Sequence, residues 1–360
     1  MTIASPTRAP RVSVLIDTYN HERFIAQAIE SVLAQDFPAS EMEILVVDDG
    51  STDRTFSIAQ SFAPRVRCLF KSNGGQASAF NAGLPLLSGE VIAMLDGDDW
   101  WAREKLSRVV EAFDRHPDVG MVGHGLLQTD EQGRTIGSVL PRQSYRLDIH
   151  TAANARCFDL LKGFFGTSKV AYRRSILARA LPVPESLVIE ADEYLWTLAI
   201  AQAPALLLNE PLFYYRFHTN NLFMLQKTDR TALRRKYDVL ASLLDHLPQA
   251  LRQFRVPQES VAVLLESLRL DVERHRLQLE GGTPWQMFRL EQAAYRLAYS
   301  GTPLGYRLFK ALSLALTLLM PPQWFFRLQR SYAASRLRKW RGLVGEPILS
   351  APVIERRTGA

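Results

Sequence analysis

Cysteine is scarce in this chain: Cys68 and Cys157 are the only two in 360 residues, and they lie far apart. That excludes a disulfide framework and a cysteine-built metal centre, and a reducing compartment is the natural inference. Glycine is missing where a dinucleotide fold needs it. The first apolar run ends in Asp17-Thr18-Tyr19-Asn20-His21-Glu22 without a G-x-G-x-x-G, which argues against a nicotinamide or flavin site. No G-x-x-x-x-G-K-S/T occurs, so there is no P-loop. A membrane-spanning run is lacking too. Ala311 to Met320 is uncharged and apolar, but Lys310 and Pro321-Pro322 bound it, and a spanning helix needs about 20 apolar residues. Met1 to Pro10 has no apolar core and reads as a frayed tail rather than a signal peptide.

What is present is ordinary for a globular protein with a sizeable core, at 47% hydrophobic and 22% charged residues. The net charge of +6 is uneven. Arg327, Arg330, Arg336, Arg338, Lys339 and Arg341 follow one another without an acid between them. Such an excess suits nucleic acid, anionic lipid or phosphorylated substrates alike, so its location decides more than its size.

Strand-like and helix-like segments alternate through the first third. Arg11–Asp17, Glu43–Val47, Arg67–Phe70, Val91–Leu95 and Val119–Leu126 read as strands, with helices over His21–Gln35, Asp53–Phe62, Ala77–Leu87 and onward to Arg115. In the first helix Phe24, Ile25, Ala28, Ile29, Val32 and Leu33 share one face. Ser51 or Thr52 is placed to cap the second, and Asp53 reads as an acid at its N-terminus. This β-α-β-α rhythm predicts a mostly parallel sheet with crossover helices. Residues 151–215 are mixed. From about Thr228 to Tyr299 the pattern is helical, broken at Gly281-Gly282-Thr283-Pro284. The expected organisation is a tail over 1–10, an α/β domain over 11–225, a helical region over 226–300 and an amphipathic, basic segment over 301–360.

The most informative segment is Val91-Ile92-Ala93-Met94-Leu95-Asp96-Gly97-Asp98-Asp99-Trp100-Trp101. A buried-strand run ends in three carboxylates, at the edge where open α/β sheets bind ligands. Carboxylates this close repel unless they share a cation or a donor, and a hard divalent ion holding a diphosphate satisfies that. An Asp-rich turn capping the next helix is the plainer alternative. The cluster is no EF-hand loop, because Trp100 and Ser107 occupy ligand positions. Asp48 and Asp49 end a second strand and Asp17 a third. A parallel sheet brings all three ends to one edge, which suits a nucleoside-diphosphate substrate.

Taken in order, Val12-Ser13-Val14-Leu15-Ile16-Asp17-Thr18-Tyr19-Asn20, Val46-Val47-Asp48-Asp49-Gly50-Ser51-Thr52-Asp53, Asn73-Gly74-Gly75-Gln76-Ala77, Asn81-Ala82-Gly83 and Leu95-Asp96-Gly97-Asp98-Asp99 resemble the family-2 glycosyltransferases of the GT-A fold, a Rossmann-like α/β architecture. The resemblance is strong over residues 11–126 and weaker to about residue 221, through Ala191–Trp196 and Tyr214–Asn220. It implies an inverting enzyme that uses a nucleotide-sugar donor and Mg²⁺ or Mn²⁺. Asp49 looks like the nucleobase-binding aspartate, with Thr18, Tyr19 and Asn20 in the nucleotide site. Asp96 and Asp98 look like the Asp-x-Asp motif, Asp96 towards the ribose and Asp98 towards the metal. Asp192 looks like the catalytic base, and Arg216 and His218 like a late basic motif near the diphosphate. An inverting displacement needs a base for the acceptor hydroxyl and positive charge for the leaving diphosphate.

The sequence departs from the family in three places. Phe80 stands where many relatives carry Arg, Ala191 replaces the usual Glu before the base, and Tyr194 replaces a second acid. With Glu190 and Glu193 flanking it, either Asp192 or Glu193 faces the acceptor, and a helix cap is the plainer reading of Asp192. Trp100 and Trp101 either stack a sugar or anchor a loop. His218 reads equally as an ordinary half-buried histidine.

Two rival functions fit the sequence less well. A nucleotidyltransferase usually needs a basic, glycine-rich loop after the first strand, which Thr18-Tyr19-Asn20-His21 does not offer. A non-catalytic nucleotide-sugar-binding protein would have no use for an intact Asp-x-Asp and base. Partners expected are a nucleotide-sugar donor and a glycan or lipid-linked acceptor, with no nucleic acid, in cell-surface polysaccharide or glycan synthesis. Ala311–Met320, Trp324, Phe325, Phe326 and the basic run predict peripheral contact through 303–341 with the inner face of a cytoplasmic membrane. A helix packed on protein is the alternative.

Overall fold

The computed structural model describes residues 9–218, 230–299 and 304–334. In chain order the elements are β1 (Val12–Thr18), α1 (Ile25–Leu33), β2 (Met42–Asp48), α2 (Thr55–Gln60), β3 (Arg67–Phe70), α3 (Gln76–Gly83), β4 (Val91–Asp96), β5 (Trp100–Trp101), α4 (Lys105–Arg115), β6 (Met121–Thr129), β7 (Thr135–Val139), β8 (Tyr145–Leu147), α5 (Ala152–Leu161), β9 (Val170–Arg173), α6 (Arg174–Ala178), α7 (Ala191–Ile200) and β10 (Ala205–Arg216). Helices α8 (Arg230–Arg252), α9 (Gln258–Glu280), α10 (Pro284–Tyr299), α11 (Leu304–Leu319) and α12 (Pro322–Ala334) follow.

The strands form one sheet in the order β3-β2-β1-β4-β9-β6-β10-β5, with β7 on β6 and β8 on β10. The β3-β2-β1-β4 half is parallel throughout, and β6 runs parallel to β10. Between the halves β9 lies antiparallel to both β4 and β6. Its four residues carry too little periodicity to be read as a strand from sequence.

Both faces of the sheet are covered, which is why its strands read as continuous apolar runs. Val12, Val14 and Ile16 of β1 join Ile25, Ile29 and Val32 of α1 and Leu106, Val109 and Phe113 of α4 in one core. Leu15 turns the other way, into a larger core with Phe80, Phe158, Leu195 and Trp196. Leu240, Leu243 and Leu247 of α8 and Leu264, Leu265 and Leu268 of α9 belong to that same core. Helices α8 and α9 are therefore packed onto the α/β domain, α8 against α7 and α9 against α5. The break at Gly281–Pro284 separates α9 from α10.

A third cluster joins Leu277, Met287 and Leu290 to Phe325 and Phe326. This corrects the sequence reading of the aromatic trio. Phe325 and Phe326 are buried, each burial contributing roughly 1.5–3 kcal/mol, and only Trp324 stays exposed. Among the described residues no helix is long and apolar enough to cross a membrane. Most of the expected tail over 1–10 lies outside the described residues, as do Thr219, Asn220, Arg336, Arg338, Lys339 and Arg341.

Candidate active site

The register of the parallel half assembles the site. Asp17 of β1 is paired with Asp96 of β4 on one side and Val47 of β2 on the other, and Thr18 is paired with Asp48. The three acidic strand ends therefore meet at one edge, as their spacing predicts. Gly97 keeps the turn after β4 close to β1. A Cβ there would stand 2.4 Å from Thr18 Oγ1 and 3.0 Å from His21 Nδ1.

Asp49 is buried and held by three donors. Lys71 Nζ lies 2.6 Å from Oδ1, the Gly75 N–H 2.7 Å from Oδ2, and the Gly74 N–H about equally from both oxygens, at 3.0 and 3.2 Å. Gly75 has φ +84°, and a Cβ there would meet the Val188 backbone at 2.6 Å. The Asn73-Gly74-Gly75 turn is thus shaped to cradle this carboxylate. On the neighbouring strand end Tyr19 is exposed, while Thr18 before it is buried with its hydroxyl 3.1 Å from His21 Nδ1. Asn20, at φ +56°, accepts from Thr52 N–H at 2.8 Å and donates its own N–H to Ser51 Oγ at 2.8 Å. Ser51 and Thr52 are therefore engaged with Asn20 and do not cap α2. Asp53 does that work, accepting from the Thr55 N–H and hydroxyl, because its side chain reaches back to the first turn.

Below this lies the acidic cluster. Asp17 Oδ1 is buried with no hydrogen-bond partner. Burial first, then the adjacent Asp96, push its carboxyl well above the ordinary range. Asp96 is pushed up to about 8 by burial and by Asp98 and Asp192. Asp99 is likewise raised, by burial and then Asp98 and Asp96. Asp98 goes the opposite way. Burial alone would raise it, but the charge of His21 and the bond from His218 outweigh that and hold it below its usual value. His218 Nε2 is 3.0 Å from Asp98 Oδ2, and His21 Nε2 is 3.8 Å from the same oxygen.

One segment absent from the sequence reading ties these groups together. The turn Thr167–Lys169 enters the site just before β9. Ser168 Oγ accepts from the Asp96 N–H at 3.1 Å and lies 2.9 Å from both Asp96 Oδ2 and Asp99 Oδ2. Thr167 donates to Asp192 Oδ2 from its N–H at 2.9 Å and its hydroxyl at 3.2 Å. Lys105, fully buried, donates to Ser168 O at 2.7 Å and sits 3.9 Å over the Trp101 ring. The signal was faint: two small hydroxyl residues ahead of a four-residue strand.

Asp192 stands on the first turn of α7. Burial raises its carboxyl, against the Thr167 donors and Lys169. Its charge in turn raises Asp17 and Asp96. Glu193 points elsewhere, 3.3 Å from Lys162 Nζ, and Glu190 pairs with Lys236 at 2.5 Å.

Arg216 is buried. Its N–H reaches Asp99 Oδ1 at 3.1 Å, Nε reaches Asp98 O at 3.0 Å, and Nη1 and Nη2 reach Glu131 O and Gln27 Oε1. Its guanidinium lies 4.6 Å from the Phe24 ring and 4.3 Å from the Trp100 ring. It braces the Asp98-Asp99 turn against β10. Trp100 stacks on Tyr214 and Trp101 is buried, so both anchor the loop. Phe80 is fully buried and offers no polar contact in place of the arginine that many relatives carry there.

Carboxylates with an imidazole are the oxygen- and nitrogen-donor set that Mg²⁺ or Mn²⁺ accepts. Among the described residues no three such side chains are gathered as a ready-made cage. That fits an ion such as Mg²⁺, which uses one or two protein carboxylates and takes its other ligands from substrate phosphates and water. The orphaned Asp17 Oδ1 and the raised Asp96 mark a recess short of positive charge. The residues present therefore fit the group.

A sheet of this topology, with an acidic edge recess on its strand ends, defines a nucleotide-sugar-type transferase fold. Sequence comparison agrees. The family model Glycosyl transferase family 2 matches residues 13–181. An uncharacterized glycosyltransferase of Nostoc sp. is 38% identical over 224 residues, covering 59% of this chain and 67% of that protein. The uncharacterized glycosyltransferase EpsJ of Bacillus subtilis is 29% identical over 225 residues, covering 59% and 63%. The matched region thus spans about two-thirds of these relatives. Among solved structures, S. aureus TarS is similar in fold with a TM-score of 0.55 at 19% identity, covering 80% of this chain and 50% of that one. A mannosyltransferase of Pyrobaculum calidifontis, PcManGT, has a TM-score of 0.50 at 21% identity, covering 93% and 89%. The chain belongs to glycosyltransferase family 2 and has the GT-A fold.

Proposed function

We propose that this glycosyltransferase moves a sugar from a nucleotide-diphosphate donor to an acceptor hydroxyl in one inverting displacement, with Asp192 as general base. The observation that carries the reading is that one turn binds both groups: Thr167 bonds Asp192, and the next residue, Ser168, bonds Asp96 and Asp99 at the strand end. Asp49 takes the nucleobase, with Thr18, Tyr19 and Asn20 around it, and Asp96 the ribose. Mg²⁺ or Mn²⁺, held by Asp98 with His218 beside it, would neutralise charge growing on the leaving diphosphate. Arg216 adds a fixed positive charge on that side while locking the Asp98-Asp99 turn. The acceptor oxygen bonds to the anomeric carbon, the bond from that carbon to the diphosphate oxygen breaks, and the hydroxyl proton passes to Asp192. Burial raises the Asp192 carboxyl above its usual value, which makes it a stronger base. Supporting similarities in fold come from TarS in complex with UDP-GlcNAc and PcManGT in complex with GDP-Man and Mn²⁺.

The acceptor in this reading is a glycan or a lipid-linked glycan in polysaccharide synthesis, met at the inner face of the cytoplasmic membrane. Exposed Leu312, Leu318 and Leu319 on α11 and Trp324 and Leu328 on α12 support contact with a lipid surface, as does exposed Arg327 among them.

The test is a panel of UDP-, GDP- and dTDP-sugars with Mn²⁺, reading released nucleotide and the anomeric configuration of the product. One donor class should turn over with inversion. Asp192→Asn should slow turnover by about 10²–10⁴-fold at near-normal donor affinity. Retention of configuration, or full activity in Asp192→Asn, would overturn the reading.

A further inference from the structure

We infer that Gln76 and Thr167 form a directed hydrogen-bond relay that positions the Asp192 carboxylate, so that both are positioning residues for the proposed base. The inference rests on the reading of Asp192 above.

The direction of the relay follows from donor chemistry. The Ala191 N–H can only donate, and it donates to Gln76 Oε1 at 2.9 Å. That settles which end of the Gln76 amide is oxygen. The amide nitrogen is then the atom 3.1 Å from Thr167 Oγ1, and it donates. Thr167 Oγ1 therefore accepts from Gln76, and its own proton is left for Asp192 Oδ2 at 3.2 Å. The Thr167 N–H reaches the same oxygen at 2.9 Å. Two donors thus converge on Oδ2, and the Glu193 backbone adds a further bond to the same carboxylate. Ala191 precedes Asp192 on α7, so the ring Ala191–Gln76–Thr167–Asp192 closes on itself and fixes the carboxylate to the helix that bears it.

Gln76 has a second connection. It opens α3 directly after Gly74 and Gly75, whose N–H groups hold Asp49. One short segment thus grips the proposed nucleobase aspartate with its backbone and the proposed base with its first side chain.

Bonds to the charged form favour ionisation. Thr167 therefore opposes the burial that raises Asp192. The other charged or titratable groups acting around it are Lys169 ahead of β9, Tyr172 on β9, Asp17 on β1, Asp96 on β4, and Glu190 and Glu193 at the start of α7. Removing the hydroxyl loosens one oxygen and makes the carboxylate more proton-avid.

The experiment compares wild type, Thr167→Val, Thr167→Ser, Gln76→Leu and Asp192→Asn. Donor hydrolysis is followed from pH 5 to 9 with the nucleotide sugar turned over fastest in the panel. Thr167→Val should lower kcat roughly 10- to 100-fold, the worth of a bond to a charged group. It should shift the acid limb of the pH profile upward and leave KM for the donor within about twofold of wild type. Thr167→Ser should restore both the rate and the limb. Gln76→Leu should fall between, because its threonine hydroxyl keeps its proton but loses its direction. A ¹³C-aspartate carboxyl titration, with Asp192 assigned by its absence in Asp192→Asn, reads the same upward shift without turnover. Wild-type profiles in Thr167→Val, or equal losses in Thr167→Val and Thr167→Ser, overturn the relay. If Asp192→Asn is itself fully active, the assignment of the base falls instead.

Discussion

Asp17 and Asp96 stand side by side on adjacent parallel strands, both raised above the ordinary carboxylate range by burial, Asp17 then by Asp96, and Asp96 then by Asp98 and Asp192. Two neighbouring acids in one recess cannot both ionise cheaply without a cation. The pairing follows from register alone, since Asp17, next to last in β1, lies opposite Asp96 at the end of β4. It places the need for positive charge at the strand ends, next to Asp98, the one acid of the group held in its ionised form by His21 and His218.

Asp98→Asn should abolish metal-dependent turnover, because the amide keeps the shape but loses the charge that attracts a hard ion. Turnover titrated with Mn²⁺, against a chelator control, checks this. Full activity in chelator, or a wild-type Mn²⁺ requirement in Asp98→Asn, contradicts it.

Glu193→Gln should leave kcat within a few-fold of wild type, in contrast to Asp192→Asn. Glu193 is turned towards Lys162, whose charge opposes the burial that raises it. Its loss should be read as stability instead, with a lower melting temperature because Lys162 keeps only Asp159 of its two carboxylate partners. If Glu193→Gln is the inactive variant, the base has been placed one residue too early.

Glu190 provides a pH signature separate from the acidic strand ends. Burial raises it to about 7, against the opposing charge of Lys236. Its unfolded value is about 4.3. A carboxyl raised in the folded state contributes stability at low pH and loses it as pH rises through the folded value. Glu190→Gln should therefore melt like wild type near pH 4.5 and become relatively more stable by pH 8, by up to about 1.4 kcal/mol per pH unit across the window. Melting curves at several pH values decide it. A constant offset would show that the Glu190 pKa does not change on folding.

Membrane contact is best tested by point variants. Truncation at Thr302 would strip Phe325 and Phe326 from the cluster they share with Leu277, Met287 and Leu290, and would confound binding with unfolding. Trp324→Ala combined with Leu319→Ser removes two exposed apolar side chains from the surface. The variant should keep donor hydrolysis and lose most of its co-sedimentation with anionic vesicles at low salt. Wild-type protein that ignores such vesicles rules the contact out.

Much of this protein was legible locally. Strands such as Val91–Leu95 announce themselves because burial on both faces demands a continuous apolar run. The acids at their ends were predicted to meet because parallel strands end at a common edge. The paired roles of Asp17 and Asp96 needed only the register. What sequence spacing could not carry was any contact between residues far apart in the chain. Thr167 and Ser168 reach Asp192, Asp96 and Asp99 only because β9 inserts antiparallel beside β4. Gln76 meets Thr167 across 91 positions. The choice between Asp192 and Glu193 was likewise beyond periodicity. Both occupy the first turn of α7, and only the packing of α5, with Lys162 just beyond its end, turns Glu193 from the recess. The apolar character of Trp324-Phe325-Phe326 belongs to the sequence; which of the three faces outward was decided by α9 and α10, whose Leu277, Met287 and Leu290 offer a surface for two aromatic rings and leave the third in solvent.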